Sequence, residues 1–110
     1  MSTVDNTRIS SLVKQNRKLE SSSLPQLFGE ILRRSRLSAR FSSPEALSRA
    51  LHYHYGCDHS GRSIYRYESG ASTPPLDFLV AASLLLETNL FDTLLYKALS
   101  KDDSKQKKSL

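Results

Sequence analysis

Residues 62–75 read RSIYRYESGASTPP, and the winding of this stretch decides the fold. Gly70 followed by Thr73-Pro74-Pro75 is a stop: glycine takes the left-handed backbone that closes a helix, and proline cannot continue one. On a helix ending there, Ile64, Tyr67 and Glu68 fall within roughly 100 degrees of one another, and Arg62, Tyr65, Arg66 and Ser69 within roughly 100 degrees on the other side. The first group predicts a face turned to a core, the second an outer polar face with Ser63 at its flank. Arg62 and Arg66, one turn apart, are two planar forks, each able to grip the O6 and N7 acceptors of a guanine or two phosphate oxygens. A carboxylate is repelled by phosphate, so Glu68 is expected to hold the structure together by accepting N–H bonds or an arginine from helix one or two.

Upstream of this helix, which should begin within residues 58–61, Ser43-Pro44-Glu45 marks another start. It supplies a capping hydroxyl, a proline where no N–H is needed, and an acid at the positive end of the helix dipole. Ala46, Leu47, Ala50, Leu51 and Tyr55 give that helix a buried face, and Gly56 is its stop. Earlier still, Ser23 with Gln26 three residues on opens a helix carrying Leu24, Leu27, Phe28, Ile31 and Leu32, its polar side holding Glu30, Arg33 and Arg34. Leu37 and Phe41 read as apolar anchors in the connection after it. Downstream, Thr73 is expected to cap a fourth helix opened by Pro74 and Pro75 and carrying Leu76, Leu79, Val80 and residues 83–86; Asn89 caps a fifth through Leu90, Leu94, Leu95 and Leu99. No segment alternates at period two and no repeat is visible. The sequence thus predicts an all-α fold, a compact bundle of five short helices over residues 23–99. Residues 1–22 are expected to be a disordered basic arm and residues 100–110 a disordered lysine-rich tail, each with net charge +2.

Composition narrows the function. The 110 residues carry 16 Lys and Arg against 11 Asp and Glu, a net +5, which permits a polyanionic partner. The charge is uneven: residues 31–66 hold seven arginines against two acids, whereas residues 67–100 hold four acids against one lysine. Such polarity orients a protein on a polyanion. One cysteine excludes an internal disulfide framework, no secretory leader is visible, and the longest apolar stretch, residues 78–86, is far below the ~20 needed to span a bilayer. A cytoplasmic protein without membrane association is expected. Paired acids, a nucleophile elbow and a glycine-rich phosphate loop are absent from the sequence, so no enzyme and no cofactor is expected. His52, His54, Cys57 and His59 lie within eight residues but lack the paired frames that close a zinc tetrahedron, so no metal ligand is assigned; a metal-responsive loop stays a third alternative. Tyr53 and Tyr55 are expected to pack a helix end.

Together "LFGEILRRSRLSARFS", "SPEALSRAL", "SIYRYESG" and "TPPLDFLVAASLLLETNLFDTLL" resemble the Cro and C1 repressor (XRE-like) helix-turn-helix family over about residues 24–99. The resemblance implies a lambda repressor-like arrangement, a transcriptional regulator bound to operator DNA as a twofold dimer, and helix three in the major groove. By position, Arg62, Ser63, Tyr65 and Arg66 fall where the family reads bases. Arg40, Ser43, Ser60, Ser69, Ser72 and Thr73 fall where backbone phosphates are met. Two departures stand out. Pro44 occupies the place where the family commonly has glutamine, leaving Ser43 and backbone N–H groups for that contact. The turn between Leu51 and Ile64 is also longer by about six residues, an insertion that either extends helix two or re-aims helix three. A homodimer is expected through helices four and five, where Leu84, Leu85, Leu90, Phe91 and Leu95 exceed one core's needs. The alternative is a protein-binding module that uses the same leucine-rich end to hold an antitoxin-like or polymerase-associated partner.

Overall fold

A computed structural model describes the backbone of residues 23–109 and the side chains of residues 23–99; the arm expected over residues 1–22 lies outside the described residues. Every regular element among the described residues is a helix: α1 Leu24–Ser38, α2 Pro44–Tyr55, α3 Gly61–Ser69, α4 Leu76–Leu86 and α5 Leu90–Ser109.

Local chemistry sets most of these boundaries. Ser43 Oγ accepts the N–H of Ala46 at 3.1 Å to open α2, and Gly56 closes it at φ +63°. Ser60 Oγ accepts the N–H of Ser63 at 3.1 Å to open α3, and Gly70 closes it at φ +82°. Asn89 Oδ1 accepts the N–H of Asp92 at 2.9 Å at the head of α5. Other ends differ from expectation. Ser23 stands at the N-cap of α1 without a side-chain capping bond. Thr73 does not cap α4, because both prolines stay outside the helix and Pro75 takes the capping position; the N–H of Phe78 is instead accepted by Asp77 Oδ1 at 2.8 Å. Leu37 lies in the last turn of α1 and is exposed, while Phe41 packs half-buried against the core. The backbone of α5 continues to Ser109, across the residues for which the sequence suggests a tail; that stretch holds no glycine or proline.

Helix α2 runs one turn past Leu51 to Tyr55, which is exposed, before the non-helical residues 57–60. This segment is tied down: Ser48 Oγ donates to the carbonyl of His59 at 2.6 Å, and the side chain of Cys57 is buried.

Helix α3 packs against both α1 and α2, α5 against α1, and α4 against α2 and α5. Phe28, Ile31 and Leu32, Leu47 and Leu51, Ile64 and Tyr67, Phe78 and Leu86, and Leu90 form one core. The buried side of α4 is Phe78, Ala81, Ala82 and Leu86, whereas Leu76, Val80 and Leu84 are 78%, 60% and 57% exposed. A helix apolar all round carries no phase in its periodicity, so packing chose the face.

Two contacts fix α3 on α1. A Cβ built on Gly29 would stand 2.1 Å from the carbonyl oxygen of Glu68 and 2.9 Å from that of Tyr67, so the helices touch backbone to backbone. Arg36 Nε and Nη2 donate to the two carboxylate oxygens of Glu68 at 2.5 and 3.0 Å, and Nη1 donates to the carbonyl of Phe41 at 2.8 Å. With side chains 6% and 5% exposed, this pair is buried, and Glu68 draws an arginine from helix one as its sequence context required. No single helix among the described residues is long and apolar enough to cross a membrane.

Candidate nucleic-acid interface

Ile64 and Tyr67, both buried, anchor α3 and leave Arg62, Tyr65, Arg66 and Ser69 exposed on the opposite face, with Ser63 half-buried beside them. Arg66 organises the turn at the end of the helix. Its Nε donates to Ser72 Oγ at 3.0 Å, while its carbonyl accepts the N–H groups of Ala71 and Ser72 at 2.9 and 3.2 Å and the hydroxyl of Ser69 at 3.2 Å. The structure thereby joins Arg66, Ser69 and Ser72. Among the described residues the Arg62 side chain makes no hydrogen bond or ion pair, and the residue is exposed.

At the other end of α3, Ser60 accepts the N–H of Ser63 and donates to its hydroxyl at 3.1 Å. The starts of α2 and α3 also come together: Glu45 Oε2 lies 2.8 Å from where a Cβ on Gly61 would stand. Ser43, half-buried at the head of α2, therefore sits within one turn of residues that touch Gly61. No hydrogen bond among the described residues ties Arg40 or Thr73 to this group; both are exposed, and Arg40 holds left-handed backbone at φ +73° in the α1–α2 connection. Glu45 is a feature that sequence reading missed, and it places a negative group beside an otherwise basic head. The only signal for it was the small residue at 61.

The underside of α3 is polar as well as apolar. His59 Nδ1 lies 2.9 Å from Tyr67 Oη, and its Nε2 lies 3.2 and 3.1 Å from the two carboxylate oxygens of Asp77. The rings of His59 and Tyr67 pack on Phe78, with centroids 5.3 and 4.9 Å away. Cys57 Sγ is 3.8 Å from Asp77 Oδ2. Burial and then the Asp77 charge push the Cys57 thiol and the Tyr67 phenol up. The hydrogen bond from His59, aided by the N–H of Phe78 against an opposing desolvation, holds the Asp77 carboxyl below its ordinary value. The four residues of the His/Cys run do not converge. His52 Nδ1 pairs with Asp58 at 2.5 Å on the exposed side, and His54 packs edge-on against Tyr53 with ring centroids 4.9 Å apart. Only Cys57 and His59 turn inward, toward an aspartate that spacing along the chain could not associate with them.

Comparison with protein-family models, with curated proteins and with solved structures finds no significant match to this chain.

Proposed function

We propose that this chain is a sequence-specific, double-stranded DNA-binding transcriptional regulator of the Cro and C1 helix-turn-helix kind, with α2 and α3 as the two helices of the motif. The observation that carries the reading is the outer face of α3. Two arginine forks stand one turn apart on it, held out by a fully buried isoleucine and a buried tyrosine behind them. A major groove about 12 Å wide admits one helix, and bidentate arginine on guanine is the commonest specific contact. Arg62 and Arg66 read base edges, with Tyr65 and Ser63 beside them. Ser43, Ser60, Ser69, Ser72, Thr73 and Arg40 meet phosphates. Ser43 suits this role, because its oxygen accepts the N–H of Ala46 while its own proton is left to donate. The +5 charge of residues 31–66 supplies the long-range attraction.

One nine-residue helix covers only a few base pairs, so the protein acts as a homodimer. Exposed Leu76, Val80, Leu84 and Phe91 on α4 and α5 support that pairing. They also support a second reading, in which the open groove they line with Leu79 holds a partner protein and DNA contact is secondary. Selection of bound sites from a random duplex pool tests both. Recovery of an inverted repeat is expected, with a log–log salt slope of roughly four to eight phosphate contacts for a dimer. No affinity for any duplex sinks the first reading.

A further inference from the structure

We infer that Cys57, His59 and Asp77 form a binding site for a divalent, thiophilic transition-metal ion of the zinc class, clamping the α2–α3 connection to the first turn of α4. One ligand atom from each residue, the thiol sulfur, an imidazole nitrogen and a carboxylate oxygen, lies within 4.8 Å of the other two. The His59–Asp77 separation is 3.1 Å and the Cys57–Asp77 separation 3.8 Å. Metal bonds of about 2.3 Å to sulfur and about 2.0–2.2 Å to nitrogen and oxygen set tetrahedral ligands roughly 3.3–3.7 Å apart, so the cluster needs only side-chain adjustment to close.

The donor set selects the ion. Thiolate with imidazole and carboxylate suits zinc and its neighbours rather than magnesium or calcium, and three protein ligands leave a fourth position for water. The outer contacts are also in place. Tyr67 Oη holds His59 Nδ1 at 2.9 Å and so aims Nε2 at the site, and the N–H of Phe78 steadies the Asp77 carboxylate at 2.8 Å. Cys57 is 8% exposed, and both polar atoms within its reach, the carbonyl and Oδ2, belong to Asp77. On binding, the sulfur gives up its proton to solvent and forms the metal–sulfur bond. His59 gives up the Nε2 proton that it donates to Asp77 in the metal-free protein, its remaining ring proton lying on Nδ1 and donated to Tyr67 Oη, so that the Nε2 lone pair meets the ion. His52 takes no part, being engaged with Asp58. Because Tyr67 belongs to the inner face of α3, the ion would brace that helix from behind; the inference stands independently of what α3 touches.

The test uses the full chain, reduced and stripped with a chelator, titrated with cobalt(II) and then with zinc(II). One equivalent of cobalt is expected to bind with a thiolate-to-cobalt absorption in the near ultraviolet and visible bands of tetrahedral intensity, both abolished by zinc. Cys57→Ser should remove the thiolate band. Asp77→Asn, which keeps an acceptor for the N–H of Phe78, and His59→Gln should each weaken affinity by about tenfold or more, with helical circular dichroism unchanged. Should Cys57→Ser fail to fold, the other two variants decide. The inference is overturned if stoichiometric cobalt produces no thiolate band, or if the band titrates with the same affinity in Asp77→Asn and His59→Gln.

Discussion

Replacing Gly29 by alanine sets two effects of known size against each other. In an unencumbered helix the change is favourable by about 1 kcal/mol, because alanine is the best helix former and glycine nearly the worst. Here the new Cβ would stand 2.1 Å from the carbonyl oxygen of Glu68, 2.7 Å from its carbonyl carbon and 2.9 Å from the Tyr67 oxygen. An ordinary non-bonded separation is roughly 3.5 Å, so α1 and α3 must part by roughly 1 Å, and neither side of the clash has a rotamer to change. Overpacking costs about 1–3 kcal/mol, and backbone against backbone belongs at the upper end. The same movement stretches the Arg36–Glu68 pair, whose acid is the residue being pushed. Net of helix propensity, the loss should be about 2 kcal/mol. In a domain of this size each kcal/mol moves the midpoint by about 4–8 °C, so Tm should fall by roughly 8–16 °C. Thermal melts followed by circular dichroism give the answer, with Gly61→Ala as control. The three atoms nearest its Cβ all belong to the side chain of Glu45, an exposed residue that can swing away, so that melt should move little. A Gly29→Ala protein that melts at or above the parent temperature would falsify the described crossing of α1 and α3.

Glu68→Ala should destabilise by about 3–5 kcal/mol in urea titration, since it strands a buried guanidinium, whereas the joint change Arg36→Met with Glu68→Leu should recover most of that; equal losses in the two would show that the pair is not buried as described. Arg40→Gly should raise stability by about 0.5–1 kcal/mol by relieving left-handed backbone, and a drop would mean that the α1–α2 connection is built differently. If the chain binds operator DNA as proposed, Arg66→Ala should weaken that binding by about 1–3 kcal/mol per half-site, and an unchanged affinity would remove Arg66 from the proposed contact face. The Asp77 carboxyl, followed by NMR, should titrate below the ordinary value of about 3.9; its stabilising contribution is present above that value and lost as pH falls through its own midpoint. His59→Gln should return the midpoint toward the ordinary value, and no movement would show that His59 is not its partner.

What could be read from the chain was whatever local chemistry decides. The Ser43 hydroxyl and the left-handed Gly56 and Gly70 bound α2 and the end of α3 because each acts within a turn of its own helix, while the start of α3, expected within residues 58–61, is set by the Ser60 hydroxyl. The mixed face of α3 fixed its phase, putting Ile64 and Tyr67 inside and sending Glu68 to Arg36. Where a segment is uniformly apolar that logic has nothing to hold: the pattern marks no buried side on α4, and packing put Phe78, Ala81 and Ala82 inside while Leu76 and Val80 stay exposed. Contacts between distant segments were equally illegible: His59 meets Asp77 eighteen residues away, and the need for glycine at 29 arises only when α3 is laid across it.

In the proposed DNA-contacting role, the tether between Arg66 and Ser72 also bears on how that arginine is used. With Nε already spoken for, the side chain arrives at a ligand with much of its torsional freedom surrendered beforehand, and it offers only the terminal pair of nitrogens, end-on. Two acceptors lying side by side satisfy that approach, as on the Hoogsteen edge of a purine, while a single acceptor leaves one nitrogen idle. Lysine, which has no third nitrogen to anchor, could not be aimed in this way, so under the proposed role position 66 calls for guanidinium rather than merely positive charge.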